Sequence, residues 1–315
     1  MSSSCGSSCG SSKEDGCGSA NAAIAQQDTS IKRSLGKIKN KILVMSGKGG
    51  VGKSTVSTNL ALGLANRGFK VGLMDVDLHG PDICRMLDLT MLIGDLEKQN
   101  DLVPPMPYGE NLKVISLEYM MENRDDPIIW RGPLKIQAIR QFLSDIDWGE
   151  LDYLIIDAPP GTGDEPLTVA STIKDAVALV VTTPQEIALA DVRKSLNFCK
   201  HVKMEVLGLV ENMSGLVCPH CNKTVDIFKS GGGVRTAAEF AVKFLGGIPV
   251  DPKVTIGGDS GQPYLVSDVD SPAVKAFADL LDTVENVMSN RVSLATVPES
   301  DCGCAGSCSP DTCDC

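Results

Sequence analysis

Short, continuous apolar runs alternate with longer segments of helical apolar spacing between residues 39 and about 290. The strand-like runs are 41–45, 70–74, 112–116, 153–156, 176–181 and 206–211; the helix-like ones are 53–66, 134–146, 165–173, 188–200, 233–244 and 271–288. The strand runs are apolar throughout rather than alternating, as strands buried on both faces are. Strand–helix–strand order predicts an α/β fold with a doubly wound, mostly parallel sheet and ligands at the strands' C-terminal ends. Residues 1–38 are Ser/Gly/Cys-rich and then polar without an apolar face, which predicts a flexible tail; residues 291–315 predict a second, Cys-rich tail. One folded domain, 39–290, lies between them. No internal repeat is visible.

The run 41–45 leads into Gly47-Lys48-Gly49-Gly50-Val51-Gly52-Lys53-Ser54, which fits G-x-x-x-x-G-K-[ST]. A helix-length segment follows and stops at Gly68. Strand, glycine loop and helix together form a phosphate site: the glycines let backbone N–H groups close on a polyphosphate, and the helix N-terminus adds positive potential. Lys53 reaches the β/γ-phosphates of ATP and the Ser54 hydroxyl holds Mg²⁺ in this arrangement, with Thr55 completing the binding segment. Lys48 is not required by the pattern and marks a subclass.

Nucleotide chemistry also needs a metal carboxylate. The run 153–156 ends in Asp157, the expected Walker B form. Ala158-Pro159-Pro160-Gly161-Thr162-Gly163-Asp164 follows as a stiff loop able to sense a γ-phosphate. A second strand ends in Asp75 and Asp77, two residues apart and therefore on one side of an extended segment. One of them can orient the attacking water while the other meets the metal shell or the P-loop lysine; capping of the following turn is the structural role open to either.

Composition narrows the class. Hydrophobic residues make up 43% and aromatics only 4%, so the core is aliphatic. A net charge of −11 argues against general nucleic-acid binding and against anionic membrane surfaces. No apolar run approaches the roughly 20 residues that span a bilayer, and no secretory leader is visible, so the expected compartment is the cytoplasm.

Twelve cysteines complete the picture. Cys5, Cys9 and Cys17 lie in the first tail, Cys302, Cys304, Cys308, Cys313 and Cys315 in the second, and Cys84 and Cys199 stand alone. Cys218-Pro219-His220-Cys221 is a C-x-x-C inside the domain, spaced to hold one edge of a zinc ion or an iron–sulfur cluster. His220 is either a further ligand or an exposed loop residue. A full site needs four ligands, and the second pair is open to three sources: a symmetry mate, the tails, or none at all if the pair is a redox dithiol. A homodimer sharing one cluster across its two-fold axis is the economical answer.

Lys48, the double aspartate, Asp157 and the C-x-x-C together resemble the Mrp/ApbC family, iron–sulfur cluster carrier ATPases of the deviant Walker A class of P-loop NTPases (MinD/ParA-like, SIMIBI). The likeness covers about residues 38–290. It also rests on Asp77-Leu78-His79-Gly80-Pro81-Asp82, Trp130-Arg131-Gly132-Pro133, Asp157 to Asp164, and Asn212-Met213-Ser214-Gly215. The resemblance implies that Lys48 reaches the partner subunit's nucleotide, Asp77 helps activate water, Asp157 supports Mg²⁺ and Asn212 contacts adenine. It further implies that Cys218 and Cys221 bind a [4Fe-4S] cluster at a homodimer interface, and that the cluster passes to apo-proteins with slow ATP hydrolysis. The tails depart from it: relatives with an N-terminal cluster carry four cysteines there, and this chain has three. Joint cluster binding, iron collection and oxidisable disorder are all open to the tail cysteines. The alternatives to a carrier are a ParA/MinD-type positioning ATPase, which the acidic 271–288 segment disfavours, and a metal store built on the tails.

Overall fold

The computed structural model describes residues 15–77, 80–89, 102–120, 132–218, 220–221, 223–263 and 271–295. In chain order its elements are α1 (Asp15–Leu35), β1 (Ile38–Ser46), α2 (Lys53–Asn66), β2 (Val71–Asp75), α3 (Ile83–Met86), β3 (Met106–Tyr108) and β4 (Leu112–Ser116). Then come α4 (Gly132–Asp145), β5 (Leu151–Asp157), α5 (Asp164–Thr172), β6 (Val177–Thr182), α6 (Glu186–His201), β7 (Val206–Val217) and β8 (Thr224–Val225). The last are α7 (Gly232–Phe240), β9 (Phe244–Val250), α8 (Pro252–Asp259) and α9 (Pro272–Ala295).

The strands form one sheet in the order β3-β4-β2-β5-β1-β6-β7-β8, with β9 also paired to β7. All pairings are parallel except β3–β4 and β7–β8. From β1 the chain crosses to β2 on one side, and later strands fill β6 and β7 on the other. The loop after β1 therefore sits at the switch point of the sheet, where open α/β sheets bind ligands. The central strands are inaccessible because helices cover both faces: Ile42 to Met45, Leu154 to Ile156 and Val177 to Val181 are all buried. α2 is buried almost all round because α9 lies over it. A Cβ at Gly63 would sit 2.3 Å from Leu281 Cδ1, so a larger residue there would push the Leu281 side chain aside.

The doubly wound, mostly parallel sheet is the expected fold. Four details differ. The segment read as a flexible tail contains α1, whose Ile31 and Leu35 join the core. β7 does not stop at residue 211 but runs on to Val217. The helix expected over 233–244 ends at Phe240, and β9 follows. The final helix continues to Ala295, past the expected boundary at 290. The cysteines of residues 1–14 and 296–315, with Leu78, His79, Trp130 and Arg131, lie outside the described residues; so does the side chain of Cys17. No helix among the described residues is long and apolar enough to cross a membrane.

Candidate nucleotide and thiol site

β1 ends at Ser46, and the loop to α2 walls a cleft of about 490 Å³. Ser46, Lys48, Gly49, Gly50, Gly52, Lys53, Ser54, Thr55 and Asp77 line it, with Pro160 and Met213 opposite. Gly52 begins α2 in the left-handed region (φ 81°), and a Cβ there would lie 2.2 Å from Asn212 Nδ2. Conformation and space both demand glycine at this point.

Lys53 and Ser54 open α2 and face the end of β5. Lys53 Nζ donates to Asp157 Oδ2 at 2.7 Å, and Ser54 Oγ donates to the same oxygen at 2.7 Å. Ser57, one turn further along α2, donates to Asp157 Oδ1 at 2.6 Å. Asp157 thus holds both hydroxyls and the lysine in one cluster, in which Asp157, Lys53 and Ser57 are buried and Ser54 is half-buried at the cleft. Burial works against the Lys53 ammonium, but the carboxylates of Asp157, Asp77 and Asp75 outweigh it and raise its pKa. A hydroxyl and a carboxylate side by side are the hard oxygen ligands magnesium takes.

The two aspartates of β2 divide their roles. Register sets Asp75 beside Asp157 on the neighbouring strand. Burial, and then the Asp157 charge, push the Asp75 carboxyl well above the usual aspartate range; Lys53 offsets this only in part. Asp75 accepts hydrogen bonds from the Asp77 backbone N–H (3.0 Å) and Ser116 Oγ (3.2 Å). It holds the turn that brings Asp77 Oδ2 to 3.7 Å from Lys53 Nζ in the cleft. Of the two, Asp77 lines the cleft and Asp75 is the turn-capping residue.

Lys48 is half-buried at the cleft and makes no ion pair among the described residues; Ser46 Oγ donates to its carbonyl at 3.0 Å. The loop after Asp157 is tied beside the P-loop by the Gly161 N–H donating to the Ser46 carbonyl at 2.8 Å. Asn212 lies within β7, not past its end, and its amide donates to the Val51 carbonyl at 2.9 Å. That bond fastens β7 to the P-loop and leaves the amide's second N–H and its oxygen for another partner.

β7 then carries the chain to Cys218. β7 and β8 form a hairpin (Leu216 opposite Val225, Val217 opposite Thr224), and the Cys218 N–H closes its tip on the Lys223 carbonyl at 3.0 Å. Backbone N–H groups of His220 and Cys221, then the Cys221 thiol, hydrogen-bond the Cys218 sulfur and lower its pKa. Cys218 is half-buried, Cys221 is exposed, and both are free thiols. No cluster of three or more His, Cys, Asp or Glu able to hold a metal occurs among the described residues. This chain's described part thus presents two free thiols at a hairpin tip.

The structure brings Lys48, Lys53, Ser54 and Asp77 to one cleft, holds the buried Asp157 against Lys53 and Ser54, and places Asn212 against the cleft's loop. Ser57 escapes the loop pattern, although a hydroxyl three residues after Ser54 on one helix face is the available signal. Ser116 carries no such signal, because only the β2–β4 register brings it to Asp75.

Residues 37–285 match the family described as ParA, NUBPL iron-transfer P-loop NTPase. The chain is 49% identical over 250 residues to an iron-sulfur cluster carrier protein of Methanocaldococcus jannaschii, covering 78% of this chain and 84% of that protein. It is 48% identical to a Drosophila melanogaster protein named cytosolic Fe-S cluster assembly factor Nubp2 homolog, covering 81% of this chain and 99% of the other. Among solved structures, a nucleotide-binding protein of Archaeoglobus fulgidus in complex with ADP superposes with a TM-score of 0.68 at 37% identity, over 79% of this chain and 96% of that one. The septum site-determining protein MinD of Pyrococcus horikoshii shares the fold, with a TM-score of 0.58 at 23% identity over 80% of this chain and 98% of that one.

Proposed function

The chain belongs to the NUBPL iron-transfer P-loop NTPase family, and from that premise we propose that it is an ATP-dependent iron–sulfur cluster carrier. Two copies hold a labile [4Fe-4S] cargo between their Cys218 and Cys221 pairs, and the cluster passes to apo-proteins. The observation that carries this reading is β7. One strand fastens Asn212 to the phosphate loop and, six residues later, ends in a thiol held in a hairpin tip.

In the cleft, Gly49, Gly50 and Gly52 offer backbone N–H groups to the phosphates, and Lys53 moves from Asp157 to the β/γ-phosphates. Ser54 and Asp157 would hold magnesium, which would supply positive charge to the phosphates. Asp77, already at the mouth of the Lys53 cluster, orients the attacking water. Lys48, without an ion pair among the described residues, reaches the partner's nucleotide. Asn212 keeps its Val51 bond and offers the rest of its amide to adenine. Hydrolysis is slow because this constellation assembles fully only in one dimer state.

Anaerobic reconstitution of the full chain tests the cargo. Charge-transfer absorbance near about 400 nm is expected from thiolate-bound clusters, and its hairpin-bound part disappears in Cys218→Ser. Lys53→Ala loses phosphate contacts and turnover, whereas Asp77→Ala keeps ATP binding and loses hydrolysis. An unchanged spectrum in Cys218→Ser, with unchanged ATP turnover in Lys53→Ala, defeats the reading.

A further inference from the structure

Glu211 is a buried carboxylate to which the nucleotide chemistry gives no role. It is 1% exposed and has no ion-pair partner among the described residues. Both of its oxygens are engaged. Ser214 Oγ donates to Oε1 at 2.7 Å, and the Gly233 N–H donates to Oε2 at 2.5 Å. Gly233 lies in the first turn of α7, so the helix dipole stabilises the charge.

The three residues after Asn212 do not follow regular strand geometry. Asn212 pairs with Ile248 and Leu216 with Val250, so β7 takes four steps where β9 takes two. The excess is a bulge, and bulges re-aim the chain. Inside it Met213 has φ 58°, the left-handed region that a non-glycine residue enters only when its surroundings hold it there. Met213 also lines the nucleotide cleft. On one side the strained residue is held by Asn212 on the P-loop, and on the other by the Glu211–Ser214 bond. Beyond the bulge the chain enters the β8 pairing and then Cys218.

We propose that the Glu211–Ser214 bond is a clasp that makes the Met213 bulge a rigid link between nucleotide and thiols. This rests on the carrier reading above. A nucleotide in the cleft meets Met213 and the P-loop, and Asn212, Met213 and Ser214 shift as one unit while Glu211 anchors them to α7. The shift reaches the hairpin tip because the bulge cannot absorb it. Without the clasp, Met213 relaxes alone and Cys218 no longer senses the cleft. Glu211 and Ser214 are thus positioning residues. Glutamine is expected to serve in place of Glu211: its carbonyl accepts from Gly233 and its amide donates to the Ser214 hydroxyl.

The test uses the full-length, cluster-free chain. Alkylation of Cys218 by iodoacetamide is followed by peptide mass with and without Mg·ADP. Wild type is expected to change rate by about fivefold, the lower end of ordinary coupling between sites. Ser214→Ala and Glu211→Ala lose that response with ADP affinity unchanged, and Glu211→Gln retains it. A full response in Ser214→Ala, or none in wild type, overturns the clasp. Ser214→Ala removes one hydroxyl only, so the test stands even where Glu211→Ala fails to fold. Iron loading, measured separately, distinguishes the two ideas. A wild-type chain that takes up no iron sinks the carrier reading whatever the alkylation shows. A Ser214→Ala chain that loads iron normally but ignores ADP supports the clasp.

Discussion

At the scale of single residues, the site is a set of charges that burial forces to cooperate. Asp75 stands beside Asp157 with Lys53 as their shared cation, and its own carboxyl is pushed upward. For a carboxyl raised in the folded state, stability is fully present below the unfolded value near 4 and is lost as pH rises through the folded value. Nucleotide-free protein should therefore lose stability from this source as pH climbs out of the ordinary aspartate range. Asp75→Asn, which imitates the protonated form, should lose less over the same range; urea midpoints at mildly acidic and neutral pH read this. Parallel slopes in the two proteins would show that Asp75 ionises normally. The cysteines divide just as clearly. Burial pushes Cys199 up to about 11, while backbone N–H groups lower Cys218. Since the thiolate is the reactive form, alkylation of the native chain near neutral pH should label Cys218 well before Cys199, and denaturation should erase the difference.

At the scale of elements, the legible parts are those set by short-range chain geometry. The phosphate loop, the aspartate closing β5 and the C-x-x-C each declare themselves in a few adjacent residues. The parts that pairing and packing decide do not. β9 contains Gly246, Gly247 and Pro249, residues that argue against a strand; its place beside β7 outside the central strands tolerates them. The hairpin partner β8 is two residues long and exposed, without an apolar pattern to find. α1 hides for a related reason. Among its described side chains the buried contact is narrow, Ile31 and Leu35, and polar bonds add to it: Arg140 bonds Gln27 and Asp28, and Ser34 Oγ donates to the Ile146 carbonyl at 3.0 Å. Leu35→Ala should cost about 2 kcal/mol or more through lost burial and the cavity left behind. Hydrogen exchange should quicken along α1 and the facing part of α4 and stay slow in β1 and β5. Uniform quickening would mean that α1 is integral to the core rather than laid on it.

At the scale of the whole molecule, the proposed carrier function requires something to complete the pair of hairpin thiols. Each described chain presents Cys218 and Cys221 at a hairpin tip, and a cubane cluster takes four thiolates. One strand joins the hairpin to the phosphate loop, because Asn212 on β7 touches the loop that follows β1. In the proposed dimer a second copy meets both, with Lys48 at the cleft as a further contact. The tail cysteines could supply the missing thiolates instead, so they must be removed from the count. With Cys5, Cys9, Cys17, Cys302, Cys304, Cys308, Cys313 and Cys315 replaced by serine, anaerobic reconstitution should still load about four irons per dimer. The loaded species should run as a dimer in light scattering, and Cys221→Ser should return it to iron-free chains. Binding energies linked through one interface are reciprocal, so the loaded dimer should also bind nucleotide with an affinity different from that of the iron-free chain. Iron bound at full stoichiometry by a monomer would show that a single chain completes the site. Iron lost with the tail cysteines alone would move the cargo to the tails and leave the hairpin thiols as a redox pair.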